Sequence, residues 1–300
     1  PNLGGDSYID LCRVVKDAVP EIHIHAFSPE EVKFGAALKR VPFEVYLGEL
    51  KEAGLGSLPG TSAEILDDRL RKAISPTRIT TSEWLDVVTT AHRLGIPTTS
   101  TMMFGHVESI EDRMRHMDLL RRVQRDTGGF TEFVPLSFVH EEAPLFAQNE
   151  VEGVRPGPTG DDVVRLYAIA RLMLGRDIPN LQASWVKEGL RTSQLLLSCG
   201  VNDLGGTLMN ESISTAAGAR HGQLMTPATL RRVIRDAGRL PVQRTTAYET
   251  IREFTMDPID DPIEPLDGVV DSESVFGSYD ALTQDARFHY EPRGLRVVGH

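Results

Sequence analysis

TTSEWLDVVTTAHRLGIPTTSTMMF, residues 80–104, holds two periodicities back to back. Trp84, Leu85, Val88, Ala91, His92 and Leu94 recur at helical spacing, with Thr80 or Thr81 placed to cap them. Gly95 ends that run, and Ile96 to Phe104 reads as a strand. A helix handing over to a strand through one glycine is the repeating unit of a parallel α/β protein.

The unit repeats in both directions. Upstream, Ile9, Leu11, Val14, Val15 and Ala18 have helical spacing until Pro20, and residues 22–27 alternate as a strand. Ser28, Pro29 and Glu31 then read as cap, first turn and capping box of the next helix. A helix over 43–53, a strand over 55–58 and a helix over 62–73 follow. Downstream come a helix over 108–126, a strand over 130–135, a loop over 149–160, a helix over 160–174 and a strand over 180–185. A helix over 188–198, a strand over 201–204 and helices over 211–217 and 226–237 complete the series. Six strands separated by helices predict a parallel sheet with crossover connections. No G-x-G-x-x-G follows any strand and no G-x-x-x-x-G-K-[ST] occurs, so a Rossmann sheet fits poorly. A parallel barrel short of its first two strands fits better.

Composition narrows the class. The 300 residues are 40% apolar and 25% charged, with a net charge of −11. That acidic balance opposes nonspecific nucleic-acid binding. No apolar run approaches the roughly 20 residues of a membrane-spanning helix. Cys12 and Cys199 are the only cysteines, too few for a disulfide framework or a four-cysteine zinc site. Free thiols and no apparent signal peptide point to the cytoplasm. Residues 254–300 form an acidic, Pro-containing tail after a barrel segment of 1–253. Within it, 257–273 carry seven acids, three prolines and no Lys or Arg, predicting a solvated tail, disordered or wrapped on the surface.

Polar residues at the C-terminal ends of parallel strands are the first place to look for chemistry. His23 and His25, two apart on a strand, face the same way. They suit substrate contact or a hydrogen-bonded core, and a metal only if a third ligand converges. Glu64 follows the 55–58 strand in GTSAE, where Ser62 reads as a helix cap, and suits an amino group or a ribose hydroxyl. In TTSTMMFGHVE, 98–108, four hydroxyls hint at a polar lumen, and Gly105 and Glu108 follow. Gln182 and Ser184 share a face, and Asn202 and Asp203 close the set. Together these suit a ligand rich in hydroxyls and ring N–H and C=O groups. No nucleophile–base–orienter set is apparent. The residues alone reach a barrel that binds a small molecule, not a reaction.

Long stretches carry a resemblance. IHIHAFSPEEV (22–32), EAGLGSLPGTSAEILDD (52–68), TAHRLGIPTTSTMMFGHVES (90–109) and TGGFTEFVPLSFVHEEAPL (127–145) are similar to the radical S-adenosylmethionine (SAM) enzymes of deazaflavin synthesis. RPGPTG (155–160), NLQASWVKEG (180–189), GVNDLGGTLMNESIS (200–214), AAGARHGQLM (216–225) and LPVQRTTAY (240–248) extend the match over about residues 1–252. Within that family the chain most resembles the tyrosine-using branch of FO synthase.

The resemblance implies a radical-SAM-type TIM barrel lacking its first one or two strands, the six strands standing as its third to eighth. It implies a transferase moving the 4-hydroxybenzyl group of L-tyrosine onto 5-amino-6-(D-ribitylamino)uracil, on the route to coenzyme F-420. A [4Fe–4S] cluster and SAM would be its cofactors. On this view TMMFGHVE (101–108) supports adenine through Gly105 and Glu108, although Thr101 and Met103 depart from the family pattern. Glu64 contacts SAM, and His23, His25, Gln182, Ser184, Asn202 and Asp203 line the substrate pocket. The expected partners are these small molecules and the ring-closing half of FO synthase, fused or paired; no nucleic acid and no membrane. Sibling enzymes of the futalosine route to menaquinone share the LPG, AEIL and QASW segments and are the alternative. A binding barrel that lost its cluster is another.

One departure stands out: the cluster-binding CxxxCxxC is absent. Two isolated thiols cannot supply three ligands to a cubane. With Pro1 at the start, the expectation is a fragment inactive alone, its cluster ligands upstream.

Overall fold

Six parallel segments follow one another in chain order, helices returning the chain between them. The computed structural model describes residues 4–147, 151–209, 214, 217–278 and 284. β1 (Ile24–His25) pairs with β2 (Leu55–Ser57), and Leu58 bridges to Thr98 at the start of β3 (Thr98–Phe104). β3 pairs with β4 (Phe130–Ser137) from Thr98↔Phe130 to Phe104↔Ser137, with one bulge near Ser100. Bridges from Phe133 to Leu181 and from Gln182 to Asp203 carry the parallel order through two further segments. Neighbours in sequence are neighbours in space, which is the winding of a β/α barrel rather than of a doubly wound sheet.

The stretch 80–104 forms as its pattern dictates. Thr80 caps α5 (Thr81–Arg93) and Glu83 completes the capping box. Trp84, Val87, Val88 and Ala91 are fully buried. His92 is a satisfied core residue, with Nδ1 at 2.7 Å from Thr127 Oγ1 and Nε2 at 3.0 Å from Thr98 Oγ1. The capping box expected at Ser28 and Glu31 opens α2 (Pro29–Lys39). α6 (Ile110–Thr127) and α8 (Gly160–Leu174) fall where the apolar spacing places them.

Differences have local causes. No helix covers 62–67; α4 is Asp68–Ile74, capped by the Asp67 carboxylate. Ser62 and Glu64 have φ of 59° and 46°, a left-handed backbone that a right-handed helix cannot contain. Of the 180–185 strand only Leu181 and Gln182 bridge, because Trp185 already belongs to α9 (Trp185–Glu188). An antiparallel hairpin, β5 (Val242–Arg244) with β6 (Thr250–Glu253), was not anticipated. Its connection lacks the Asn-Gly or Asp-Gly signal of tight hairpins, turning instead through Tyr248 at φ 66°. The helix expected over 211–217 lies largely outside the described residues.

Part of the acidic tail is wrapped on the surface. Asp261 receives Arg231 and Arg235 of the helix Pro227–Asp236, and Asp267 accepts the Ala228 N–H at 2.8 Å. Two acids of 257–267, Asp261 and Asp267, therefore find cations on that helix. No helix among the described residues is long and apolar enough to cross a membrane.

Candidate functional site

The hydroxyls of β3 turn out to be fasteners. Thr99 Oγ1 accepts the Gly60 N–H at 2.8 Å, and Thr101 Oγ1 donates to the Gly60 carbonyl at 2.7 Å. Ser100 donates to the Glu132 carbonyl at 2.7 Å. A Cβ on Gly60 would stand 2.1 Å from the Thr99 carbonyl oxygen, so only glycine lets the loop after β2 lie against β3. Buried Arg71 clamps the same loop from behind, donating to the carbonyls of Ser62, Ala63 and Ile79. His116 closes it, accepting the Leu66 N–H at 3.0 Å while Nε2 donates to the Thr101 carbonyl at 3.0 Å.

This scaffolding holds Glu64 in its left-handed conformation at the C-terminal end of the strands. Strained backbone persists only where surroundings over-determine it, and such positions concentrate at functional sites. Burial pushes the Glu64 carboxyl above its ordinary range, partly offset by Arg78, Arg71 and Lys187. Arg78 is 3.5 Å away, an ion pair rather than a hydrogen bond. A second acid lies on the same face. Glu188 accepts from Ser137 Oγ at 2.6 Å, and burial raises its carboxyl too. Neither Ser137 nor Glu188 was picked out from sequence.

Gly105 and Glu108 are built into the turn that follows β3. The Glu108 carboxylate accepts from Gly105 N–H at 2.7 Å, His106 N–H at 2.9 Å, Arg113 Nε at 2.7 Å and Arg155 NH2 at 3.0 Å. Burial alone would raise this carboxyl, yet His106, the Gly105 N–H and Arg113 hold it below its ordinary range. Gly105 has φ 92°, and a Cβ there would lie 2.3 Å from Pro158. Both residues join the β3–α6 turn to the 155–158 segment.

The remaining candidates divide. A cavity of about 1500 Å³ is lined by His25, Gln182, Asn202 and Asp203, together with Glu132 and Arg244. Glu132 accepts from Gln182 Nε2 at 2.7 Å and from the Tyr248 hydroxyl. Arg244 forks onto Asp203, with NH2 2.9 Å from Oδ1, and lies 3.9 Å over the Tyr248 ring. Burial raises the Glu132 carboxyl, and so does the Asp203 charge, against the Tyr248, Arg244 and Gln182 contacts. Burial and the neighbouring acids likewise hold Tyr248 protonated. Asn202 lines this cavity, but its Oδ1 is taken by Arg171 and the Leu181 N–H. Ser184 stands apart as the residue before α9.

His23 and His25 share one partner. His23 Nε2 and His25 Nδ1 each lie 2.7 Å from Ser57 Oγ. Burial first, then His23 and Arg244, push His25 down to about 4, so its ring is neutral at pH 7. Sequence reasoning missed Ser57, Glu132, Arg244 and Tyr248. Glu132 announced itself as a lone acid in an apolar strand, whereas Arg244 and Tyr248 come from the unanticipated hairpin.

Comparison with known proteins fits this picture. Residues 1–120 match the radical SAM superfamily, and residues 127–257 match the CofH/MqnC C-terminal region. A Methanothermobacter thermautotrophicus protein named 5-amino-6-(D-ribitylamino)uracil–L-tyrosine 4-hydroxyphenyl transferase is 52% identical over 254 residues, 84% of this chain and 68% of its own. The Methanopyrus kandleri protein of the same name is 48% identical over 85% of this chain and 68% of its own. The chain belongs to this radical SAM transferase family. In three dimensions methylornithine synthase superposes on 78% of the chain with a TM-score of 0.52 at 15% identity, a likeness of fold. The chain spans 61% of that protein's length.

Membership in a radical SAM family implies a [4Fe–4S] cluster, which three thiolates hold. The cysteines of this chain do not fit one. Cys12 is buried in α1 (Ser7–Ala18), where burial raises its thiol, and Cys199 follows α10 (Leu190–Leu196) with its Sγ 3.6 Å from the Leu195 carbonyl. Among the described residues, no three His, Cys, Asp or Glu side chains converge as a metal site. SAM is different. Glu64, a desolvated carboxylate on a clamped loop, suits its ammonium group.

Proposed function

We propose that this chain carries the substrate-binding barrel of a radical SAM transferase that moves the 4-hydroxybenzyl group of L-tyrosine onto 5-amino-6-(D-ribitylamino)uracil. The observation that carries the proposal is the 1500 Å³ cavity and its lining of His25, Glu132, Gln182, Asp203 and Arg244. A pyrimidine ring with a ribityl chain offers several N–H, C=O and O–H groups, and a pocket recognises such a ligand through a few fixed polar partners. Glu132 and Gln182 suit ring N–H and C=O groups, and Asp203 suits a ribityl hydroxyl. Glu64 holds the ammonium of SAM, while Glu188 and Ser137 suit the amino group of tyrosine.

SAM and the cluster supply the radical chemistry. The chain's own residues bind, orient and exclude water: Arg244 neutralises Asp203, and Tyr248 fixes one oxygen of Glu132. A reduced cluster needs a reducing compartment, which favours the cytoplasm. The product would pass to a ring-closing partner.

The test is anaerobic. The full gene product bearing this chain, reconstituted with iron and sulfide, is given SAM, tyrosine and the ribitylaminouracil. The expected result is a hydroxybenzyl adduct seen by mass spectrometry. Conversion of a futalosine-type substrate with no tyrosine turnover overturns the reading.

A further inference from the structure

We propose that His25, Ser57 and His23 form a proton relay joining the cavity to solvent at the opposite end of β1. Three observations carry it. Both imidazoles meet one hydroxyl at 2.7 Å, through opposite ring nitrogens, Nδ1 of His25 and Nε2 of His23. His25 lines the cavity and is exposed within it, whereas His23 does not line it. His23 lies at the other end of the chain of contacts, exposed to solvent, its ring laid over Gly56, where a Cβ would come 2.4 Å from its Cε1. The glycine in LGS is thus the residue that lets His23 reach Ser57.

Ser57 has one proton and stands between two rings, which restricts the arrangement. If His25 donates from Nδ1, Ser57 can donate onward to His23 Nε2, and both rings carry their proton on Nδ1. When His25 Nε2 takes a proton from a substrate N–H or O–H, its Nδ1 proton passes to Ser57. The Ser57 proton passes to His23 Nε2, and His23 releases its Nδ1 proton to solvent. One proton enters, one leaves, and both rings end protonated on Nε2. Carrying a proton inward resets the relay, so the same three residues serve as base and then as acid.

The surroundings favour a relay over a resident imidazolium. Arg244 of the hairpin faces His25 and Lys16 of α1 lies near His23, and both disfavour added positive charge. A proton taken up by His25 is handed on through Ser57 rather than held.

The inference rests on the proposed function for the identity of the substrate, not for the proton path, and the two can fail separately. Nitrogen-15 spectra of the histidine rings in the full chain at neutral pH read the tautomers directly. The relay expects His23 and His25 to share one tautomer, both Nδ1–H or both Nε2–H, and Ser57→Ala to uncouple them. His25 on Nδ1 together with His23 on Nε2 makes Ser57 a double acceptor and overturns it. Identical tautomers in parent and Ser57→Ala overturn it as well. His23→Gln, at an exposed position, gives a second variant: kcat should fall on the order of 10²-fold with KM nearly unchanged. A rise in KM alone makes His23 a mere prop. Matched tautomers in a protein that turns over no tyrosine leave the relay standing and remove the proposed substrate.

Discussion

Arg244 of the hairpin and Asp203 of the last parallel segment are joined by two guanidinium–carboxylate hydrogen bonds, Nε to Oδ2 and NH2 to Oδ1. The pair closes a cavity whose other acid, Glu132, lies 3.8 Å from the same guanidinium. One cation thus serves two acids, and the hairpin is tied to the barrel through it.

Arg244→Lys tests the fork. An ammonium cannot make two parallel bonds to Asp203 or lie flat on the Tyr248 ring. Breaking a buried ion pair costs about 3–5 kcal/mol, but the Arg244 side chain retains 21% exposure, so about 1–3 kcal/mol is expected for Arg244→Ala and less for Arg244→Lys. Urea unfolding measures both. Arg244→Ala combined with Asp203→Ala should cost less than the two single changes added, because Asp203 is then no longer left buried without its partner.

His116 should make the fold sensitive to mild acid. Burial pushes its ring down to about 3, against about 6.5 in the unfolded chain. The folded ring accepts a proton less readily, so the stability it contributes is present above the unfolded value and is lost as pH falls below about 6.5. From pH 7 to pH 5 that amounts to about 2 kcal/mol at most. His116→Gln should be weaker at pH 7, where it loses a donor–acceptor bridge, and show a flatter decline toward pH 5. Urea midpoints at the two pH values decide; parallel slopes in parent and variant sink the assignment.

What was legible in the sequence follows from how far each signal reaches along the chain. The capping box at Ser28–Glu31 and the cap at Thr80 act over three residues, and they formed as read. The six parallel segments were recognisable because Ile24, Leu55, Met102, Phe133 and Leu181 are buried in apolar runs between helices. His25, Gln182 and Asp203 were picked out from strand alternation, and all three line the cavity. Ser62 misled because a Ser before an acidic turn looks like a cap, and only Arg71 and Gly60, holding the loop, make the left-handed path. The hold on Glu108 was not legible because its partners Arg113 and Arg155 are 5 and 47 residues away. The Tyr248–Glu132 contact spans 116 residues, beyond any local pattern.

Glu64 offers a test of strain kept for function. Its φ of 46° costs a non-glycine residue about 1–2 kcal/mol, and its carboxylate is desolvated as well. Glu64→Gly removes both costs and should raise stability by about 1 kcal/mol. SAM affinity, read by calorimetry on the cluster-loaded protein, should fall at least about tenfold, the 1.4 kcal/mol of one lost charged contact. Unchanged affinity would detach Glu64 from the cofactor.

Glu188 makes the complementary case, because its sign is opposite to that of His116. Burial raises its carboxyl above the unfolded value of about 4.3, so the unfolded chain releases the proton first. The cost of burying the charge therefore appears as pH rises past that value and is complete above the folded pKa. Glu188→Gln keeps an acceptor for the Ser137 hydroxyl while removing the charge. The variant should match the parent at pH 4 and exceed it at pH 7. A purely structural acid would show that gain with turnover intact. If Glu188 receives a substrate ammonium, KM for tyrosine should rise at least about tenfold in the more stable protein, since binding then loses a charge-assisted hydrogen bond. A stabilised variant with unaltered KM would return Glu188 to the scaffold and detach it from the tyrosine amino group.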